Sequence, residues 1–164
     1  MTMRILLFFL AAAPLVFPQA KAQKAHVHGA AEIRIAMDGL KGEIEFEAPA
    51  EGIVGFESAP KTPAQKKIVE DALTRLRERG GELVQLPAAS ACKLIPKEVD
   101  LHREGQHADV HAHYGVSCVK ALSGEIRFGV TRLFPRTAEV SVTLINGDAQ
   151  KSARIVADRG SLRP

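Results

Sequence analysis

All six histidines of the chain fall in two short windows, His26 with His28, and His102, His107, His111 and His113. Near neutral pH most imidazole is uncharged and can offer a nitrogen lone pair to a metal ion. In an extended chain alternate side chains share a face, so His26 and His28 project together while Val27 turns away. The same period places His107, Asp109, His111 and His113 on one face of the second window. Ala108, Val110, Ala112, Tyr114, Val116 and Cys118 occupy the other. The apolar row explains why a strand forms there; folding alone gives no reason for a row of imidazoles opposite it.

Such a donor set suits Zn2+, which accepts imidazole nitrogen and carboxylate oxygen at about 2.0–2.2 Å without a d-electron preference for one geometry. Cu2+ and Ni2+ also take imidazole. Clustered cysteine or methionine, which Cu+ would need, is absent, and the oxygen ligands are too few for calcium. His102 stands beside Arg103 in what reads as a loop, and it is a further candidate ligand. Glu104 and Asp109 are candidates either as ligands or as partners that orient the imidazoles. Metal capture would join His26 and His28 to one or more of His107, His111 and His113 in a site of three or four ligands. That requires the strands bearing the two windows to lie near each other.

Competing readings start from the same residues. Histidines on a strand are often solvated polar groups, and the chain would then be a metal-independent adaptor that binds another protein. Three histidines and a glutamate could instead hold a hydrolytic zinc with an open position. Neither a zinc-protease motif nor a nucleophile elbow is present, however, so an enzyme is not expected and no catalytic residue is assigned. Glu43, Glu45 and Glu47 alternate with Ile44 and Phe46, the pattern of a solvated strand face.

The elements that would position these groups read as a mostly antiparallel α+β domain with one main amphipathic helix. Two alternating segments from Ala31 to Ala48 flank Asp38-Gly39 and predict a β-hairpin. Ile53 to Glu57 reads as a buried connection or short strand. Thr62-Pro63-Ala64-Gln65 combines an N-cap, a proline in the first turn and a capping-box glutamine, so a helix starts there. Ile68, Val69, Ala72, Leu73 and Leu76 continue at helical spacing, and Gly80-Gly81 marks the end. Strands are expected at Glu82 to Leu86, residues 107 to 119, Gly124 to Phe134 and Ala138 to Ile145, with a last short one after Ala153.

The first residues have the layout of a signal peptide: Arg4, an apolar run from Ile5 to Phe17, and a small-x-small site at Ala20-Lys21-Ala22. Cleavage after Ala22 would remove residues 1–22 and leave one domain over residues 23–164. The mature part then carries 20 basic against 19 acidic side chains. Without a basic stripe or an aromatic platform, nucleic acid is not an expected partner. No later apolar run reaches the roughly 18 residues of a membrane span. Cys92 and Cys118, the two cysteines, would meet in an oxidising compartment and form a disulfide. Closing the loop between them contributes roughly 3.5 kcal/mol in the chain-entropy model. Free thiols binding a soft metal are the alternative, although no Cys-x-x-Cys is present.

Several segments together resemble the ZrgA-like family of periplasmic zinc-binding proteins of Gram-negative bacteria, across essentially the whole mature length. They are Ala25-His26-Val27-His28-Gly29, Ala48-Pro49-Ala50 leading to Gly55-Phe56-Glu57 and Ala59-Pro60, the capped helix, and Cys92. The histidine-bearing stretch into Tyr114 and Cys118, then Leu133-Phe134-Pro135, completes the likeness. The resemblance implies zinc binding in the periplasm in support of zinc uptake, beside a zinc ABC transporter or its periplasmic binding protein. It is also what singles out zinc from the other metals. This chain departs from the family in two places: only Leu101 to Asp109 stands where many members carry a long His/Asp/Glu-rich insert, and Ser58 follows Gly-Phe-Glu where a histidine is common.

Overall fold

The computed structural model describes residues 29–105 and 107–164. The expected hairpin is present as β1 (Ala30–Asp38) and β2 (Lys41–Pro49), joined through a turn in which Gly39 adopts the left-handed backbone that glycine tolerates best. Ile33, Ile35 and Met37 of β1 and Ile44, Phe46 and Ala48 of β2 are buried, while the residues between them face outward. Ile53 and Val54 are not in a strand. They lie in a short helix, α1 (Ala50–Val54), which ends where Gly55 turns left-handed and its N–H bonds the Glu51 carbonyl at 2.9 Å.

The main helix, α2 (Pro63–Leu83), begins at the predicted cap: the Thr62 side chain accepts from the Gln65 N–H, and the Gln65 side chain accepts from the Thr62 N–H. It does not end at Gly80-Gly81. The backbone kinks at Arg79 and continues to Leu83, which shortens the expected strand to β3 (Val84–Gln85). Gly80 is small for packing, because a Cβ there would meet Cε1 of Tyr114 at 2.6 Å.

Next comes β4 (Lys93–Glu104), a strand the sequence pattern conceals, and it corrects the loop expected around His102. Pro96 and the dense charges hide it. Proline lacks the ladder N–H and is tolerated on an edge strand or at a bulge. Here both apply, since β4 is the outermost strand and its register slips between Pro96 and Glu98. Then follow β5 (His107–Ser117), β6 (Ile126–Phe128), α3 (Val130–Leu133), β7 (Glu139–Asn146), β8 (Ala149–Val156) and β9 (Ser161–Leu162). The strand expected from Gly124 to Phe134 is therefore confined to Ile126–Phe128 and gives way to α3, and β7 is followed by an eight-residue strand, β8, that begins before Ala153, and by the two-residue β9.

Six strands form the main sheet in the order β4-β5-β2-β1-β7-β8; β3, β6 and β9 form a small second sheet. Neighbours in the main sheet are antiparallel except β1 and β7, which are parallel, so the sheet is mixed. Its inner face packs against Leu76 and Leu83 of α2, Ile126 and Phe128 of β6 and Leu133 of α3 in one core. Its outer face carries mostly polar side chains, with Ile145 and Val156 exposed on β7 and β8.

Candidate metal centre

The outer face of β5 carries the second histidine window as the alternation predicts: Ala108, Val110, Ala112, Tyr114 and Val116 are buried, and Asp109, His111 and His113 are half-buried on the opposite side. Strand pairing supplies their neighbours. Across the sheet Glu47, His111 and Asp100 form one row, Glu45, His113 and Glu98 the next, and Asp109 stands opposite His102. Carboxylates from β2 and β4 thus flank the imidazoles of β5 on both sides. A groove of about 480 Å3 runs over this surface, lined by Arg34, Glu47, Asp100, His102, His111 and His113 among others.

One ligand atom each from Glu47, Asp109 and His111 lies within 4.8 Å of the other two, and all three residues are half-buried. Asp109 and His111 meet because they are alternate residues of one strand. Glu47 joins them because it is the cross-strand partner of His111. An imidazole and two carboxylates are a donor set that zinc accepts. Next to this trio, the His102 ring lies 5.8 Å from that of His111, centroid to centroid, and is tilted by 52°.

The remaining candidates are placed elsewhere on the same face. His107 Nδ1 is 3.5 Å from Oε2 of Glu57, whose carbonyl accepts a 2.7 Å hydrogen bond from Arg103. Glu104 is the cross-strand partner of His107 at the tip of the β4–β5 hairpin. His113 points toward β2, its Nε2 3.4 Å from Oε2 of Glu43. That nitrogen is shielded from solvent and has no hydrogen-bond partner among the described residues, its approach to Glu43 falling outside hydrogen-bond geometry. His26 and His28 lie outside the described residues. The first ladder pair of β1, Glu32 with Glu47, belongs to the same row as His111.

Glu47 was not distinguishable in the sequence from Glu43 and Glu45, with which it shares an alternating face. Arg34 likewise gave no signal. Its guanidinium pairs with three carboxylates, Glu32 at 3.0 Å, Glu45 at 3.1 Å and Glu47 at 3.6 Å. Only the register of β1 against β2 brings these four residues together.

The expected disulfide between Cys92 and Cys118 is formed, and it joins the residue before β4 to the residue after β5. It closes the ladder at the end remote from Asp109. Among the described residues no helix is long and apolar enough to cross a membrane. A family model described as a zinc uptake protein of the ZrgA family matches residues 25–164. No curated protein matches the chain.

Proposed function

Because the chain belongs to the ZrgA family of zinc uptake proteins, we propose that it captures zinc as cargo on the outer face of its main sheet, at Glu47, Asp109 and His111. The observation that carries this reading is the convergence of three ligand atoms within 4.8 Å. Three protein ligands leave a coordination position for one more donor. His102, the imidazole beside His111, supports a fourth protein ligand from β4. His26 and His28 are the other candidates for closing the site.

The half-buried, open groove suits exchange. A cargo site must load and unload, and partly solvated ligands can leave one at a time, whereas a structural zinc is closed by four ligands in a packed interior. We read the centre as non-catalytic and the protein as periplasmic, with a zinc ABC transporter or its binding protein as the partner that receives the metal. The disulfide supports an oxidising compartment.

Zinc titration by calorimetry tests the reading, using the protein beside Glu47→Gln, Asp109→Asn and His111→Ala. Each substitution is expected to abolish or strongly weaken one shared tight site. Tight binding that survives all three would sink the proposal. Ester or phosphoester turnover that disappears with His111→Ala, the fold being intact, would replace cargo binding by hydrolysis.

A further inference from the structure

We propose that Arg34 is the positioning residue of this metal centre: through its ion pair with Glu47 it holds that carboxylate ready for the metal. The inference rests on the zinc-capture reading given above and adds to it a residue that binds no metal itself.

Arg34 lies on β1, directly across from Glu45, with Glu47 on the diagonal and Glu32 two residues earlier on its own strand. Each nitrogen of the guanidinium serves a different carboxylate. Nε donates to Glu32 Oε1 at 3.0 Å, Nη1 donates to Glu45 Oε2 at 3.1 Å, and Nη2 lies 3.6 Å from Glu47 Oε2. The planar fork of arginine makes three such contacts at fixed angles, which a lysine ammonium does not reproduce.

Two consequences of this contact oppose each other. A cation beside Glu47 repels an incoming divalent ion. Holding Glu47 in place lowers the conformational entropy that must be lost when its carboxylate binds the metal. The surroundings decide the balance. Glu32 and Glu45 carry two negative charges against the single positive charge of Arg34, so the group as a whole does not repel a cation. Arg34 and Glu47 are also 46% and 38% exposed in their side chains, and solvent screens what repulsion is left. The directional part of the arrangement is the pair of hydrogen bonds from Nε to Glu32 and from Nη1 to Glu45, which fix the guanidinium plane and so the place where Nη2 meets Glu47; on that geometry positioning outweighs repulsion.

The test is zinc affinity, measured by competition with a chromophoric chelator, for the wild type, Arg34→Gln, Arg34→Lys, Glu47→Gln and the double variant Arg34→Gln/Glu47→Gln. Circular dichroism and the thermal midpoint in chelator report the fold. Partners that orient metal ligands are typically worth about 10- to 100-fold in affinity, and Arg34→Gln is expected to weaken zinc binding by that factor. Arg34→Lys should recover part of the loss, and Arg34→Gln should add nothing once Glu47 is already Gln. Unchanged or tighter binding by Arg34→Gln overturns the proposal, and so does an equal further loss in the Glu47→Gln background, which would mark a general structural role. If Glu47→Gln itself binds zinc like the wild type, the metal centre falls and this inference falls with it. Should Arg34→Gln not fold, Arg34→Lys decides, and wild-type affinity in that variant rejects the role.

Discussion

The Tyr114 hydroxyl donates a 2.8 Å hydrogen bond to the carbonyl of Leu76, tying α2 to the strand whose opposite face carries Asp109 and His111. The contact lies in the core, where Tyr114 is 1% and Leu76 0% exposed. Helix and metal-facing strand are therefore fixed to each other through one buried ring.

Tyr114→Phe removes that bond and is expected to lower stability by about 0.5–1.5 kcal/mol in urea unfolding at pH 7. Burial pushes the Tyr114 phenol up, above its usual value near 10. The unfolded chain therefore ionises before the folded one. The stabilising contribution is complete below about pH 10 and is lost as pH rises through the folded value. Tyr114 is the sole tyrosine and the chain has no tryptophan, so tyrosinate absorbance reports this residue alone. Titration of the folded protein should show it late, and Tyr114→Phe should flatten the alkaline loss of stability; a phenol titrating near 10 in the native protein would contradict the packing.

Gly80→Ala and Gly81→Ala, adjacent in α2, should act in opposite directions. A Cβ on Gly80 would stand 2.6 Å from Tyr114 Cε1, while one on Gly81 meets nothing within 4 Å. Overpacking a core costs about 1–3 kcal/mol, and alanine is favoured over glycine in a helix by about 1 kcal/mol. Thermal unfolding should therefore show Gly80→Ala destabilised and Gly81→Ala unchanged or stabilised.

Zinc at about 100 times its dissociation constant should stabilise the protein by about 2.7 kcal/mol, raising the thermal midpoint by roughly 5–10 °C, with chelator reversing the shift. His111→Ala should lose most of this increment. If His26 and His28 share the centre, replacing both with alanine should abolish the shift as completely; a retained shift would separate the two windows into distinct sites. His113→Ala should leave the increment nearly intact, because His113 faces Glu43 rather than the Glu47–Asp109–His111 trio.

Replacing Cys92 and Cys118 by serine is expected to cost about 3–4 kcal/mol, from the entropy regained by the unfolded chain. The bond sits beside the Lys93–Ser117 pair, whereas Asp109 pairs with His102 far along the same ladder. Zinc affinity at a temperature where the variant is folded should therefore change much less than stability. An affinity loss as large as that of His111→Ala would mean that the disulfide sets the ligand geometry.

Much of this protein is legible along the chain because it depends on local periods. Alternation over residues 107 to 117 determines which side of β5 bears Asp109, His111 and His113. The Thr62 capping box determines where α2 begins, and the two cysteines, having no other thiol to choose, determine their own pairing. Gly80-Gly81 does not end α2, because a glycine can serve a distant ring as well as a helix end, and His102 lies in a strand rather than a loop, because an edge strand tolerates the proline and the dense charges of β4. Glu47 and Arg34 were not legible at all. An alternating pattern fixes a residue's face but not its neighbour, and Glu43, Glu45 and Glu47 are equivalent until β2 is paired in one register with β1 on one side and β5 on the other. That register is set by the burial of Ile44, Phe46 and Ala48 against the whole core, a long-range condition that places Glu47 beside His111 and Arg34.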